Sequence, residues 1–389
     1  MAAAGSTAAT GLMTATPSSG GSGQTLGTGS MASGATGAAS GAPNAGSGNN
    51  VSGSMGATSG ENPGTDPPAP KPLMVDPNDM QNYPISFSAI QLDPQAGKSS
   101  ANTFAGEAQQ LQLKPSAKIQ GKLIIALGGI GGGPGGGGFE AYAVPAGFHV
   151  FDVATQTAVS SAPDMYKQII ATDPMNADAN RQVGDARMEA FDGVDRVDWL
   201  QVLPPDSIVN RTEHALAYGQ MIDPGGDWGY FLNADGSVRW TDVYIVGYSF
   251  GAQTGAMISK YVRFGRVVSL SGPEAEGFPN ATWITQPSAT PVDRLYTMLG
   301  FIDPYPSTNT VDAAPNDVMS MVTTVTSAGW INPPGPVNVV PGSMGPFMDT
   351  HILAMVGSNP HSPGGHTVFC TNDPMNGWLA ACQYAFGTQ

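Results

Sequence analysis

Seven short runs rich in Val, Ile and Leu, set apart by Gly and Pro, constrain this chain more than any other feature. They are Ile85–Leu92, Lys122–Leu127, Phe148–Val153, Val243–Tyr248, Arg266–Leu270, Leu295–Phe301 and Ile352–Val356. Several are continuously apolar rather than alternating, as strands buried on both faces are. Helical patterns fall between some of them, at Ile208–Met221, Gly251–Val262 and Gly377–Phe386. Strands alternating with helices predict an α/β fold, a mainly parallel central sheet flanked by helices. The stretch 154–239 carries Trp199, Trp228 and Trp240 but few strand signals. Two readings of it stay open: a cap inserted over the sheet, or crossover helices with long loops.

These signals begin only after about residue 80. The first 70 residues hold 16 of the 52 glycines, no aromatic residue and two charges, Glu61 and Asp66. Such a segment cannot bury enough apolar surface to offset its ordering entropy. Residues 1–71 are therefore expected to be a disordered Gly/Ala/Ser/Thr-rich linker, and 80–389 one large folded domain. The remainder carries 15 basic against 28 acidic residues, a net charge of −13. That balance argues against nucleic acid, anionic membranes and polyanionic substrates as partners. No apolar run approaches the 18 or more residues of a membrane span, and no signal peptide is visible. A leader of this composition suits the stretch between an exported anchor and its domain, so a secreted or surface-attached protein is expected. The alternative is a cytosolic protein with a disordered tail. Cys370 and Cys382 are the only cysteines. They predict a disulfide if the chain is exported and two buried thiols if it is not. Two cysteines alone make no structural zinc site, so no metal is expected.

The strongest chemical signal is Gly247-Tyr248-Ser249-Phe250-Gly251, a G-x-S-x-G pentapeptide. In a chain this rich in glycine the five residues alone are weak. Their context is not: an apolar strand enters them, and a helix of small residues leaves. That is the setting of a nucleophile elbow, a sharp strand-to-helix turn that lifts Ser249 Oγ above the strand end. A side chain at either flanking glycine would strike neighbouring backbone.

A serine hydroxyl needs an oriented base, and the expected order along the chain is Ser, acid, His. His366 stands in a Gly/Pro loop before the last helix, four residues ahead of Cys370, and is the preferred base. His361 is the rival. His351 opens a strand run and reads as structural. Asp303 follows the run Leu295–Phe301 and is the preferred acid, since a carboxylate past that strand end lies on the nucleophile's edge. Asp293, Asp312 and Asp317 are weaker candidates.

After Lys122–Leu127 comes a glycine loop, 128–138, with Pro134 inside it. A G-x-G-x-x-G match at Gly131, Gly133 and Gly136, with Asp152 beyond, would suggest a dinucleotide site. That match is nearly guaranteed in such a run, and Pro134 opposes the helix the pattern requires. The loop reads better as one side of an oxyanion hole, with the N–H groups of Ile130 and Phe250 as donors.

With these parts in order, the chain from about Ile85 onward resembles the α/β-hydrolase superfamily, within its serine esterase and lipase-like branch. The resemblance implies a mainly parallel eight-stranded sheet, a Ser249–Asp303–His366 triad and no cofactor. It differs in having Gly128 where many members carry His, and Tyr248 and Phe250 in the elbow. The segment Arg266–Pro273, with Ala281-Thr-Trp downstream, is similar to poorly characterised bacterial secreted members. The activity implied is carboxylic-ester hydrolysis through an acyl-enzyme, by a monomer acting on a small or polymeric ester. A peptidase or amidase with the same triad, a non-catalytic binding domain on this fold and a nucleotide-dependent oxidoreductase are the alternatives.

Overall fold

A computed structural model describes residues 71–115, 117–129, 138–154, 177–273, 286–300, 337–345, 347–356, 358–359, 362–363, 369–370 and 378–388. The expected linker lies outside them, apart from Lys71. The strands of the main sheet are β1 (Ile85–Ser88), β2 (Ala108–Gln112), β3 (Leu123–Leu127), β4 (His149–Asp152), β5 (Val243–Tyr248), β6 (Arg266–Leu270), β7 (Leu295–Gly300), β8 (Val337–Val339) and β9 (Ile352–Met355). Their order across the sheet is β1-β2-β4-β3-β5-β6-β7-β9-β8. All neighbours pair in parallel except β1 with β2 and β2 with β4. The fold is thus α/β, with a mostly parallel mixed sheet. Among the described residues the main sheet has nine strands where eight are expected. At its edge lies β8, of three residues, which pairs in parallel with β9. A small separate pairing joins β10 (Ser358–Asn359) to β11 (Ser362–Pro363).

The central strands are buried on both faces, and alternate residues serve opposite layers. Leu123, Ile125 and Leu127 of β3, with Val243 and Ile245 of β5, pack under α3 (Ala177–Asp192), α4 (Ile208–Ile222) and α5 (Phe250–Ile258). Ile124, Ala126, Val246 and Met298 pack on the other face, under the single turn α2 (Glu140–Ala143) and α6 (Leu379–Phe386). One further helical turn, α1 (Ala89–Leu92), follows β1. Local chemistry sets the helix ends. Ser207 caps α4 by accepting the Asn210 N–H at 3.2 Å. Gly387 ends α6 in the left-handed region, φ +73°.

Two features tie the chain ends to this core. Cys370 and Cys382 form a disulfide, with 5.6 Å between their Cα atoms, and both are fully buried. It holds the chain at Cys370 to α6. At the other end, the segment before β1 is clasped by the turn after α4. Asp227 accepts the Met74 N–H at 2.7 Å, and Asp223 accepts the Gln81 N–H at 2.9 Å and the Tyr83 hydroxyl. Trp228, fully buried, donates its indole N–H to Tyr83 Oη at 2.9 Å.

Candidate active site

The strand order turns back on itself between β3 and β5. From β3 the chain proceeds to β4 on one side. From β5 it proceeds to β6 and β7 on the other. The connection after β3 passes to the face of α2, and the one after β5 to the face of α5. Loops that diverge in this way leave a crevice at the carboxyl ends of the strands, where ligands of open α/β sheets bind. Ser249 and Gly129 stand at that crevice.

Ser249 is the residue between β5 and α5, with φ 53° and ψ −117°. A non-glycine residue there stores on the order of 1–3 kcal/mol of strain and persists only when its surroundings over-determine it. They do so here. The Ser249 N–H donates to Leu270 O at 3.0 Å, and its carbonyl accepts from the Ala252 and Gln253 N–H groups at 2.9 and 3.2 Å. The backbone is fixed on both sides of the residue. Because its own N–H is committed to β6, the next donor along is the Phe250 N–H, which opens α5 and has no intrahelical acceptor. The positive end of the α5 dipole lies at this turn.

The glycines around Ser249 mark close approaches of main chain. A Cβ on Gly247 would stand 2.5 Å from Ala252 N and closer still to the Gly251 carbonyl. A Cβ on Gly251 would stand 2.6 Å from Gly128 O and closer to Leu127 O. One on Gly129 would lie 3.2 Å from the Tyr248 ring and 3.5 Å from Ser249 Cβ. The start of the glycine loop is thereby brought against the serine.

The remaining expected site residues divide into two groups. Ile130, Asp303, His361 and His366 lie outside the described residues, as do Asp312 and Asp317. His351 and Asp293 are described, and both sit at the amino ends of strands. The strands that follow them, β7 of six residues and β9 of four, run about 20 and about 13 Å, so neither reaches the edge that carries Ser249. His351 is buried against Tyr296, ring centroids 4.4 Å apart, with Nδ1 at 2.8 Å from Val292 O and 2.9 Å from Leu295 O. Its role is structural. Trp228 is core, Trp240 packs on Phe191 and Phe264, and Trp199 donates to Gln182 at 2.7 Å. Asp152, which the dinucleotide reading needs at a ribose, is buried at the carboxyl end of β4 and takes a hydrogen bond from Gln112. Burial and the neighbouring Glu140 charge hold its carboxyl well above the usual range.

One neighbour of the Ser249 turn had no sequence signal. Arg187 of α3 is buried, its guanidinium carbon 4.8 Å from the centroid of the Phe250 ring, and its Nη2 donates to Gln253 Oε1 at 2.6 Å. Among the described residues no cluster of His, Cys, Asp and Glu suits a metal ion, and no helix is long and apolar enough to cross a membrane.

No protein-family model matches this chain, and no curated protein matches it in sequence. Among solved structures it is similar to a variant of the AtxE2 isopeptidase with astexin3-dC4 bound, at 14% identity and a TM-score of 0.26. That match covers 56% of this chain and 31% of the isopeptidase, so the chain spans under a third of that protein's length.

Proposed function

We propose that this chain is a serine hydrolase of the α/β-hydrolase type that cleaves carboxylic esters through an acyl-enzyme. The observation that carries the reading is the Ser249 turn. A buried strand delivers a serine in a strained, positive-φ conformation to the switch point of the sheet, with the backbone of Gly129 beside it. Two further observations support it. The loop after β3 meets the turn after β5, as an oxyanion hole built from both requires. The carriers of the other triad members follow in order: Asp303 comes three residues after β7, and His366 comes after β9.

In this reading His366, oriented by Asp303, takes the Ser249 proton as Oγ attacks the ester carbonyl. The Phe250 N–H and a donor in the glycine loop, at Ile130, hold the oxyanion. The alcohol departs with the proton from the imidazole. A water activated by the same imidazole then releases the acid. No cofactor takes part in these steps. The disulfide suits an oxidising compartment, and the protein is read as exported.

A fluorophosphonate probe tests the reading. The wild type is expected to label at one site, Ser249, and Ser249→Ala is expected to be silent. Chromogenic esters of increasing acyl length, run beside the matching anilides, then separate esterase from amidase. Labelling that survives Ser249→Ala refutes the assignment.

A further inference from the structure

We infer that Arg187 is a positioning residue for the oxyanion-binding turn and acts through Phe250; this rests on the serine-hydrolase reading above. The observations are geometric. Helix α3 packs across α5, and Arg187 reaches from it with only 5% of its surface exposed. Its guanidinium covers the Phe250 ring at 4.8 Å and donates to Gln253 at 2.6 Å. Phe250 and Gln253 are the first and fourth residues of α5, neighbours on one helix face. One rigid planar cation therefore spans the whole first turn of the helix that begins beside Ser249.

Its contacts with the Phe250 ring and with Gln253 fix the orientation of the turn that carries the Phe250 N–H. That orientation matters most when the carbonyl oxygen of an ester gains negative charge on attack by Ser249 Oγ, and least when substrate is merely bound. Removing the guanidinium should therefore lower kcat and leave KM nearly unchanged. Arg187 contacts no substrate in this scheme.

The test uses the full chain and compares wild type, R187M, R187K, F250L and R187M/F250L. The readout is the rate constant of Ser249 labelling by a fluorophosphonate. In that reaction the Oγ–P bond forms, the P–F bond breaks, fluoride leaves and the serine proton passes to the base. The labelling endpoint counts competent sites, so the rate constant per labelled site is unaffected by a fraction of unfolded protein. R187M is expected to label about 10- to 100-fold more slowly per site, less than the loss of a whole oxyanion donor. Its kcat on a short ester should fall alike, with KM within about threefold. R187K, which keeps the charge but loses the planar fork, should recover only part of the loss. In the F250L background R187M should cost distinctly less than in the wild type, because the coupling through the ring is already gone and only the bond to Gln253 remains. Wild-type rates in R187M, or an undiminished loss in the F250L background, overturn the inference while leaving the hydrolase reading intact. If R187M does not fold, a wild-type rate in R187K overturns it instead. Absence of any Ser249 labelling in the wild type overturns both.

Discussion

Gly251→Ala and Gly255→Ala place the same methyl group on the same helix and should differ sharply. Both positions are buried on α5, and helix propensity favours alanine at each by up to about 1 kcal/mol. At Gly255 the new carbon meets Ile245 Cγ2 at 2.8 Å, and the next atom is 3.8 Å away. A single side-chain methyl can shift, at a repacking cost of about 1 kcal/mol, so the net change should stay within about 1 kcal/mol. At Gly251 the new carbon meets main chain: Gly128 O and the Leu127 carbonyl carbon at 2.6 Å, with Leu127 O closer. Backbone at the end of a central strand cannot rotate away, and the two elements must part by roughly 1 Å. That belongs at the top of the overpacking range, about 3 kcal/mol, for a net loss of about 2–3 kcal/mol. Thermal unfolding should register a drop of about 3–5 °C for Gly251→Ala and about 1.5 °C or less for Gly255→Ala. Parting α5 from the glycine loop by 1 Å should also slow Ser249 labelling about 100-fold. If both variants melt together and label at the wild-type rate, the explanation of the elbow by close main-chain packing is wrong.

The disulfide and the buried histidine of β4 give two more tests. Replacing Cys370 and Cys382 by serine should cost about 3 kcal/mol for a loop of this length, read as a lower denaturation midpoint; an unchanged midpoint refutes the expected contribution. His149 is buried, with Nε2 at 2.8 Å from Gly226 O, and burial holds its pKa down to about 4. As pH falls through the unfolded value near 6.5, the unfolded chain takes up this proton before the folded one, so stability is lost between about pH 6.5 and pH 4. The stability gap between wild type and H149Q should narrow across that window, and an equal gap at pH 7.5, 5.5 and 4.5 refutes the assignment.

The parts of the fold that were legible in the sequence are those buried on both faces. The runs Val243–Tyr248 and Arg266–Leu270 coincide with β5 and β6 residue for residue, because continuous apolar strands admit no other placement in a layered sheet. Strand β2, Ala-Gln-Gln-Leu-Gln, gave no such signal. Its Gln109 is nevertheless buried, and the reason is a tertiary hydrogen bond from the Ala154 N–H at 3.2 Å that composition cannot register. Helix α3 escaped notice for a similar reason: its sequence is polar, and its inward contacts are made by Met188, Phe191 and the stem and guanidinium of Arg187. At the site, Ser249 and its glycines were readable because a strained turn has few permitted residues. Arg187 was not, because its contact with Phe250 joins positions 63 residues apart in the chain that no local pattern relates.

The clasp before β1 decides where force would enter this domain. Tension applied to the chain ahead of residue 71 would reach the Met74–Asp227 and Gln81–Asp223 hydrogen bonds before it reached β1. Behind them stands the Tyr83 contact with Asp223 and the buried Trp228. A fragment trimmed to begin at Ile85 would lose that grip.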